Sequence, residues 1–352
     1  MKFRQLFVLG ALILAACADG AHDTSAPLTS ATSDSTAGTP VGQSEQTAPP
    51  TSTPALATPP ASPDVFHGNL LFSRTIFPDD QALFLLTESG EQQLSEFGES
   101  CCVMAISPDR REILVMPGTF GSPLNGATLD LETGKLAPLT VVDPTLNLVP
   151  TAWSPDGKRI AFLGFDDADP SRRGIYTANA DDGAELLRVT TRPGALDDVP
   201  LEYSPDGEWL LFYRAVAPDP DPQVGGSLWV IRIDGTDPHP IAEASALPAS
   251  VAGWSPDGER IVYGNERTAE SGALWTVRPD GTERTEVFSD SNGGFPIAPI
   301  WSPDGSQIMF ALDPTNDQFT HPPNELYVID ADGANPQLVL GGDDFKRLAA
   351  WW

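Results

Sequence analysis

Histidine is scarce in this chain of 352 residues, with four in all, at positions 22, 67, 239 and 321. None lies in a His-Glu-x-x-His pattern or another metal-holding spacing, so neither a metal centre nor any cofactor is expected. Cysteine is scarcer still, with three residues. Basic residues number 20 against 49 acidic ones, a formal net charge of -29. So acidic a surface repels phosphate backbones, which argues against nucleic acid as a partner and leaves a basic partner open. No Gly-x-Ser-x-Gly elbow, Walker loop or Gly-x-Gly-x-x-Gly is present, which removes the usual signatures of an acyl nucleophile and of nucleotide binding. No catalytic residue is assigned. No apolar run reaches the roughly 18 residues of a membrane-spanning helix.

What is present begins with an address. Lys2 and Arg4 precede a short apolar stretch, Leu6 to Ala16, that ends in Leu14-Ala15-Ala16-Cys17. The stretch is too short to span a bilayer and has the layout of a signal peptide. Its last four residues resemble the lipobox of bacterial lipoproteins. The resemblance implies a signal peptide over 1–16 and acyl chains such as palmitate attached through Cys17. The protein would then sit outside the cytoplasm, lipid-anchored to the cell membrane or outer membrane of a bacterium. Loss of Lys2 and Arg4 would leave a charge of -31. From Ala18 to Asp64 the chain is mostly Ala, Ser, Thr and Pro, with no aromatic residue, Lys or Arg. Such a segment buries too little apolar area to offset the entropy of ordering, so 17–64 reads as a disordered tether. Its expected root-mean-square span is roughly 35–40 Å.

The body, 65–352, is repetitive. An apolar or aromatic residue precedes Ser-Pro-Asp five times: at Ile106-Ser107-Pro108-Asp109, Trp153-Ser154-Pro155-Asp156, Tyr203-Ser204-Pro205-Asp206, Trp254-Ser255-Pro256-Asp257 and Trp301-Ser302-Pro303-Asp304. The steps from Asp to Asp are 47, 50, 51 and 47 residues, a period that marks a repeat architecture. Gly follows Asp in four copies. Pro presets φ in such a turn, Asp shapes it and Gly accepts positive φ. Apolar residues follow at even spacing, as in Ile160/Phe162, Leu210/Phe212, Ile261/Tyr263 and Ile308/Phe310, which predicts a strand. A third strand follows at Ile175-Tyr176-Thr177, Leu228-Trp229-Val230, Leu274-Trp275-Thr276 and Leu326-Tyr327-Val328, then an Asp-Gly turn and a fourth strand. The ends of the body are half-units. Asn69 to Phe72 fits a second strand with no first, and Leu348 to Trp352 fits a first strand with no second. Their pairing would close a ring of six units and remove two exposed sheet edges.

This pattern resembles the repeat of TolB-type six-bladed β-propellers. The resemblance covers 65–352 and implies an all-β fold: six blades of four antiparallel strands, closed by the N- and C-terminal strands. The small α/β domain that precedes the propeller of TolB is replaced here by anchor and tether. Some related propellers carry a peptidase domain, and others are lyases using a metal held by several His.

In such a ring the turns after strands one and three share one face, and the longer, dissimilar connections share the other. Variable loops on a rigid scaffold are where recognition usually resides. The candidate binding residues there are Phe77, Phe120, Phe165, Arg172, Arg173, Arg192, Arg214, Phe295, Phe319 and His321, aromatic and Arg types that dominate interfaces. The run Asp166-Asp167-Ala168-Asp169 lacks EF-hand spacing and reads as a solvated loop. Cys101 and Cys102 fall on the first strand of blade two and are either a vicinal disulfide or two buried thiols. Neighbouring Cα atoms lie about 3.8 Å apart, below the usual disulfide range, so a bridge would need a distorted strand. The expected function is a monomeric, non-enzymatic lipoprotein whose propeller binds a protein or cell-envelope ligand. The alternative is an envelope hydrolase or lyase acting on a saccharide or peptide in the propeller channel.

Overall fold

The structure is a computed structural model, and it describes residues 67–76, 80–98, 103–116, 126–140, 142–191, 198–215, 226–244, 252–265, 272–291, 293–313, 325–342 and 344–352. These residues form six four-stranded antiparallel sheets, the blades of a propeller, and one short 3-10 turn, Pro170–Arg172. No helix among them is long and apolar enough to cross a membrane. Blades two to six each use four consecutive strands, with the first innermost. Their inner strands are Val103–Ile106, Asn147–Trp153, Asp198–Tyr203, Ala252–Trp254 and Phe295–Trp301.

Blade one is shared between the two ends of the body. Its inner strand is Phe345–Trp351, paired antiparallel with Leu70–Ile76, as the two half-units predict. Leu70 faces Trp351, Leu71 faces Ala350 and Phe72 faces Leu348. The Asn69 amide donates to the Trp352 carbonyl (2.6 Å), the Trp352 amide donates back (3.0 Å), and Trp351 Nε1 donates to the His67 carbonyl (2.7 Å).

The packing shows why the repeat carries its aromatics. Each strand following a Ser-Pro-Asp turn is buried on both sides, because a blade is sandwiched between two others. In blade four, Leu210 and Phe212 pack with Ala161 and Ile175 of blade three, while Leu211 and Tyr213 pack with Ile261 and Tyr263 of blade five. Alternation along a strand therefore divides its side chains between two interfaces. Trp153 and Phe162, Tyr203 and Phe212, and Trp301 and Phe310 all join the interface with the preceding blade. So do Trp351 and Phe72 of blade one, against Met309 and Leu326 of blade six. An open array of six blades has one interface fewer than a closed ring, and that sixth interface is made here.

The Ser-Pro-Asp turn is fixed by its own side chains. In blade three, Ser154 Oγ donates to Asp156 Oδ1 (2.7 Å), which also accepts from the Lys158 amide (3.1 Å). Ser154 Oγ accepts from the Arg159 amide (2.9 Å). The same bonds recur in the other four copies. Where the turn carries Gly, φ is 71–75°. Blade two has Arg110 at that place, at φ 63°, and its guanidinium lies 5.7 Å from the centre of the Trp352 ring. The non-glycine turn thus gains a contact with the closing strand that offsets part of its strain.

Candidate functional site

The inner strands enclose a cavity of about 490 Å³ along the propeller axis. Pro155, Pro205, Pro256 and Pro303 of the repeated turns line it, so it opens toward the Ser-Pro-Asp face. Its walls are mainly Ala, Pro, Val, Ile and the flanks of the inner-strand aromatics. Among the lining residues two side chains are charged, Glu202 and Arg347.

A bulge aims Glu202. On the inner strand of blade four, Pro200 pairs with Phe212 and Glu202 with Leu211, so Leu201 is an extra residue. Met104, Thr151 and Ala349 are extra at the same place in blades two, three and one. The register makes Ala105, Ala152, Gly253, Ile300 and Ala350 the equivalents of Glu202 in the other blades. One carboxylate therefore stands in a ring of small and apolar residues. Glu202 Oε2 accepts from the Trp254 amide of the next blade (2.7 Å). Desolvation pushes its carboxyl up to about 7, against the pull of that amide. The side chain is exposed to the channel, which softens the desolvation that the surrounding blades impose. Arg347 reaches the cavity from blade one, opposite blade four, and desolvation lowers its pKa.

The raised carboxyl sets a sign for stability. A group whose folded pKa lies above its unfolded value contributes stability below the unfolded pKa and loses it as pH rises through the folded one. For Glu202 that window runs from the ordinary carboxyl value of 4.5 to about 7. Glu202→Gln keeps an acceptor for the Trp254 amide and removes the partly desolvated charge. The variant is expected to melt above the parent at about pH 8 and together with it at about pH 4. Paired thermal melts at the two pH values check this, and a variant that melts lower at both would show the carboxylate to be a structural support.

The described loop candidates are engaged within the scaffold. Phe165 is buried, with the Arg173 guanidinium 5.4 Å from its ring centre. Arg172 is held by Asp143, by Asp166 (2.8 Å) and by Thr145 Oγ1 (2.7 Å). Asp166 also accepts from the Ala168 and Asp169 amides, so this acidic run is a hydrogen-bonded turn. Arg214 forms a two-point ion pair with Asp198 (2.8 and 2.9 Å). Phe295 lies against Gly272, where an added Cβ would come within 2.4 Å of its ring. Cys17, Phe77, Cys101, Cys102, Phe120, Arg192, Phe319 and His321 lie outside the described residues. Among the described residues no group of three or more His, Cys, Asp or Glu is placed to hold a metal. The carboxylate in the channel is the feature that motif reading missed. Its signal was a one-residue departure inside the repeat.

These observations define a closed six-bladed β-propeller with an axial cavity. No protein-family model matches the chain. Among solved structures it resembles TolB of Acinetobacter baumannii at 16% identity and a TM-score of 0.58, over 80% of this chain and 66% of that one. The chain thus spans just under two thirds of that TolB. It also resembles an oligogalacturonate lyase in complex with manganese (17% identity, TM-score 0.55, 78% and 74% covered). A protein of the nidogen/laminin complex is similar as well (14%, 0.53, 80% and 96%). At such identities the likeness shows the fold.

Proposed function

We propose that this chain is a non-enzymatic binding scaffold at the bacterial cell envelope. Acyl chains on Cys17 hold it to a membrane, 17–64 spaces it from the lipid, and the propeller binds a protein or envelope ligand. The observation that carries the reading is the axial cavity, walled mainly by apolar side chains on a rigid ring. The TolB likeness supports the propeller frame on which this reading stands. The described loop candidates are held in ion pairs and packing, so the proposed contact surface centres on the cavity and its rim. Replacing Ala252, which lines the cavity from blade five, with Trp fills part of the space. A crosslinking pulldown from intact cells is expected to recover fewer partners with Ala252→Trp than with the parent, at unchanged membrane retention. Equal recovery by a variant that melts like the parent would overturn the cavity as the binding surface.

A second reading has one observation in its favour. A carboxyl held near neutrality in a channel suits general acid or base catalysis on a saccharide or peptide. Turnover of an oligosaccharide or peptide panel that disappears in Glu202→Gln would replace the scaffold reading with that one.

A further inference from the structure

Glu202 is not explained by the frame around it. Five equivalent positions are filled by Ala, Gly or Ile, and the ring closes with them. Desolvating a carboxylate, even in part, costs stability unless it is paired. The Trp254 amide occupies Oε2 and leaves the second oxygen to the cavity.

The turns around the approach to that oxygen are mainly acidic. The turns that supply the lining prolines also carry Asp156, Asp206, Asp257 and Asp304, with Asp109 in the blade-two turn beside them. All five carboxyls are held below the ordinary range by hydrogen bonds, those of Asp109, Asp156, Asp206 and Asp257 first by the turn serine and that of Asp304 first by the Ser306 amide. Each of these five turns thus carries an ionised aspartate. Lys158 offsets part of this at Asp156, and Arg110 and Arg111 do so in the blade-two turn. The net charge of -29 adds to the same field. The other charged lining residue, Arg347, is deeper. It lies three residues before Ala350, the equivalent of Glu202, which is roughly 7–10 Å along a strand. A cation entering from the turn face meets Glu202 first, with apolar walls suited to an alkyl stem.

We propose that the channel mouth receives one lysine or arginine side chain from a partner polypeptide, with its charged head on Glu202 and its stem against the proline and alanine walls. This rests on the scaffold reading above and names the chemistry that the cavity selects.

The test titrates the whole chain, solubilised in detergent, with the end-blocked peptides Gly-Gly-Lys-Gly-Gly and Gly-Gly-norleucine-Gly-Gly. Binding is read by calorimetry. The lysine peptide is expected to bind about tenfold tighter, and more weakly in high salt. Glu202→Gln is expected to abolish that preference, and a thermal melt of the variant shows that it is folded. Three results overturn the proposal: equal binding of the two peptides, a lysine preference that survives Glu202→Gln, or no binding of the lysine peptide at about millimolar concentration. In each case the scaffold reading stands if Ala252→Trp still loses its partners, and falls separately if it does not.

Discussion

Deletion of Leu348–Trp352 is expected to abolish the cooperative unfolding transition of the propeller. The missing residues supply the end of the inner strand of blade one, against which Leu70, Leu71 and Phe72 pair. All three are fully buried, and Leu348 and Trp351 are nearly so. Losing two large buried side chains costs about 1.5–3 kcal/mol each before the newly uncovered partners are counted. A typical domain has only about 5–15 kcal/mol in total. The deletion also removes the main-chain bonds between Asn69 and Trp352 and the indole bond to His67, and it leaves two sheet edges open. Far-UV circular dichroism during heating is the measurement, because it does not depend on the deleted tryptophans. A milder variant separates closure from gross truncation. Gly68 has φ +100°, and an added Cβ would sit 2.5 Å from the Trp352 carbonyl oxygen. Gly68→Ala is therefore expected to lower the melting temperature while preserving a single transition. A truncated chain that melts like the parent would mean that the ends do not hold the ring.

Much of this fold can be read from the sequence because closure is written in the repeat. Asn69 to Phe72 carries a second strand with no first, and Leu348 to Trp352 carries a first with no second. Strand pairing makes these two absences one blade. Boundaries were less legible. The fourth strand of blade three is only Leu187–Arg188, because Thr190 meets Ile175 through its side-chain oxygen as well as its main chain. The site was less legible still. Glu202 differs from Ala105, Ala152 and Ala350 in a column that the repeat aligns, so the departure itself was readable. Its direction was not. The extra residue at Leu201 reorients the strand just before Glu202, and a bulge of this kind is set by pairing across the sheet rather than by local composition. Residue type leaves the roles of Arg172 and Arg214 open. Arg is common in interfaces, but it is also the residue that best pairs with a carboxylate inside a scaffold, and sequence alone does not show the Asp that faces it.

For Arg214 that distinction can be measured. Arg214 and Asp198 are directly opposite in the register of blade four and pair through two N–H···O contacts. The Asp198 side chain is only 1% exposed and that of Arg214 20%. The guanidinium also lies over Trp229, 4.4 Å from the ring centre, and near Phe212 at 5.1 Å. The unequal burial predicts unequal costs. Arg214→Met removes both guanidinium bonds from a carboxylate that has little access to water and is expected to destabilise the propeller by about 3–5 kcal/mol. Asp198→Val leaves an arginine that can turn its head to water while its stem and ring contacts remain, so its cost is expected to be smaller. With both replaced, no charge is left buried, and the double variant is expected to be more stable than Arg214→Met alone. Urea unfolding of the three variants and the parent completes the cycle. Additive costs would mean that the two residues act independently and would return Arg214 to the set of residues free to meet a partner. Strong coupling, together with undiminished partner recovery by the double variant, would assign Arg214 to the scaffold and leave the cavity as the surface that distinguishes one ligand from another.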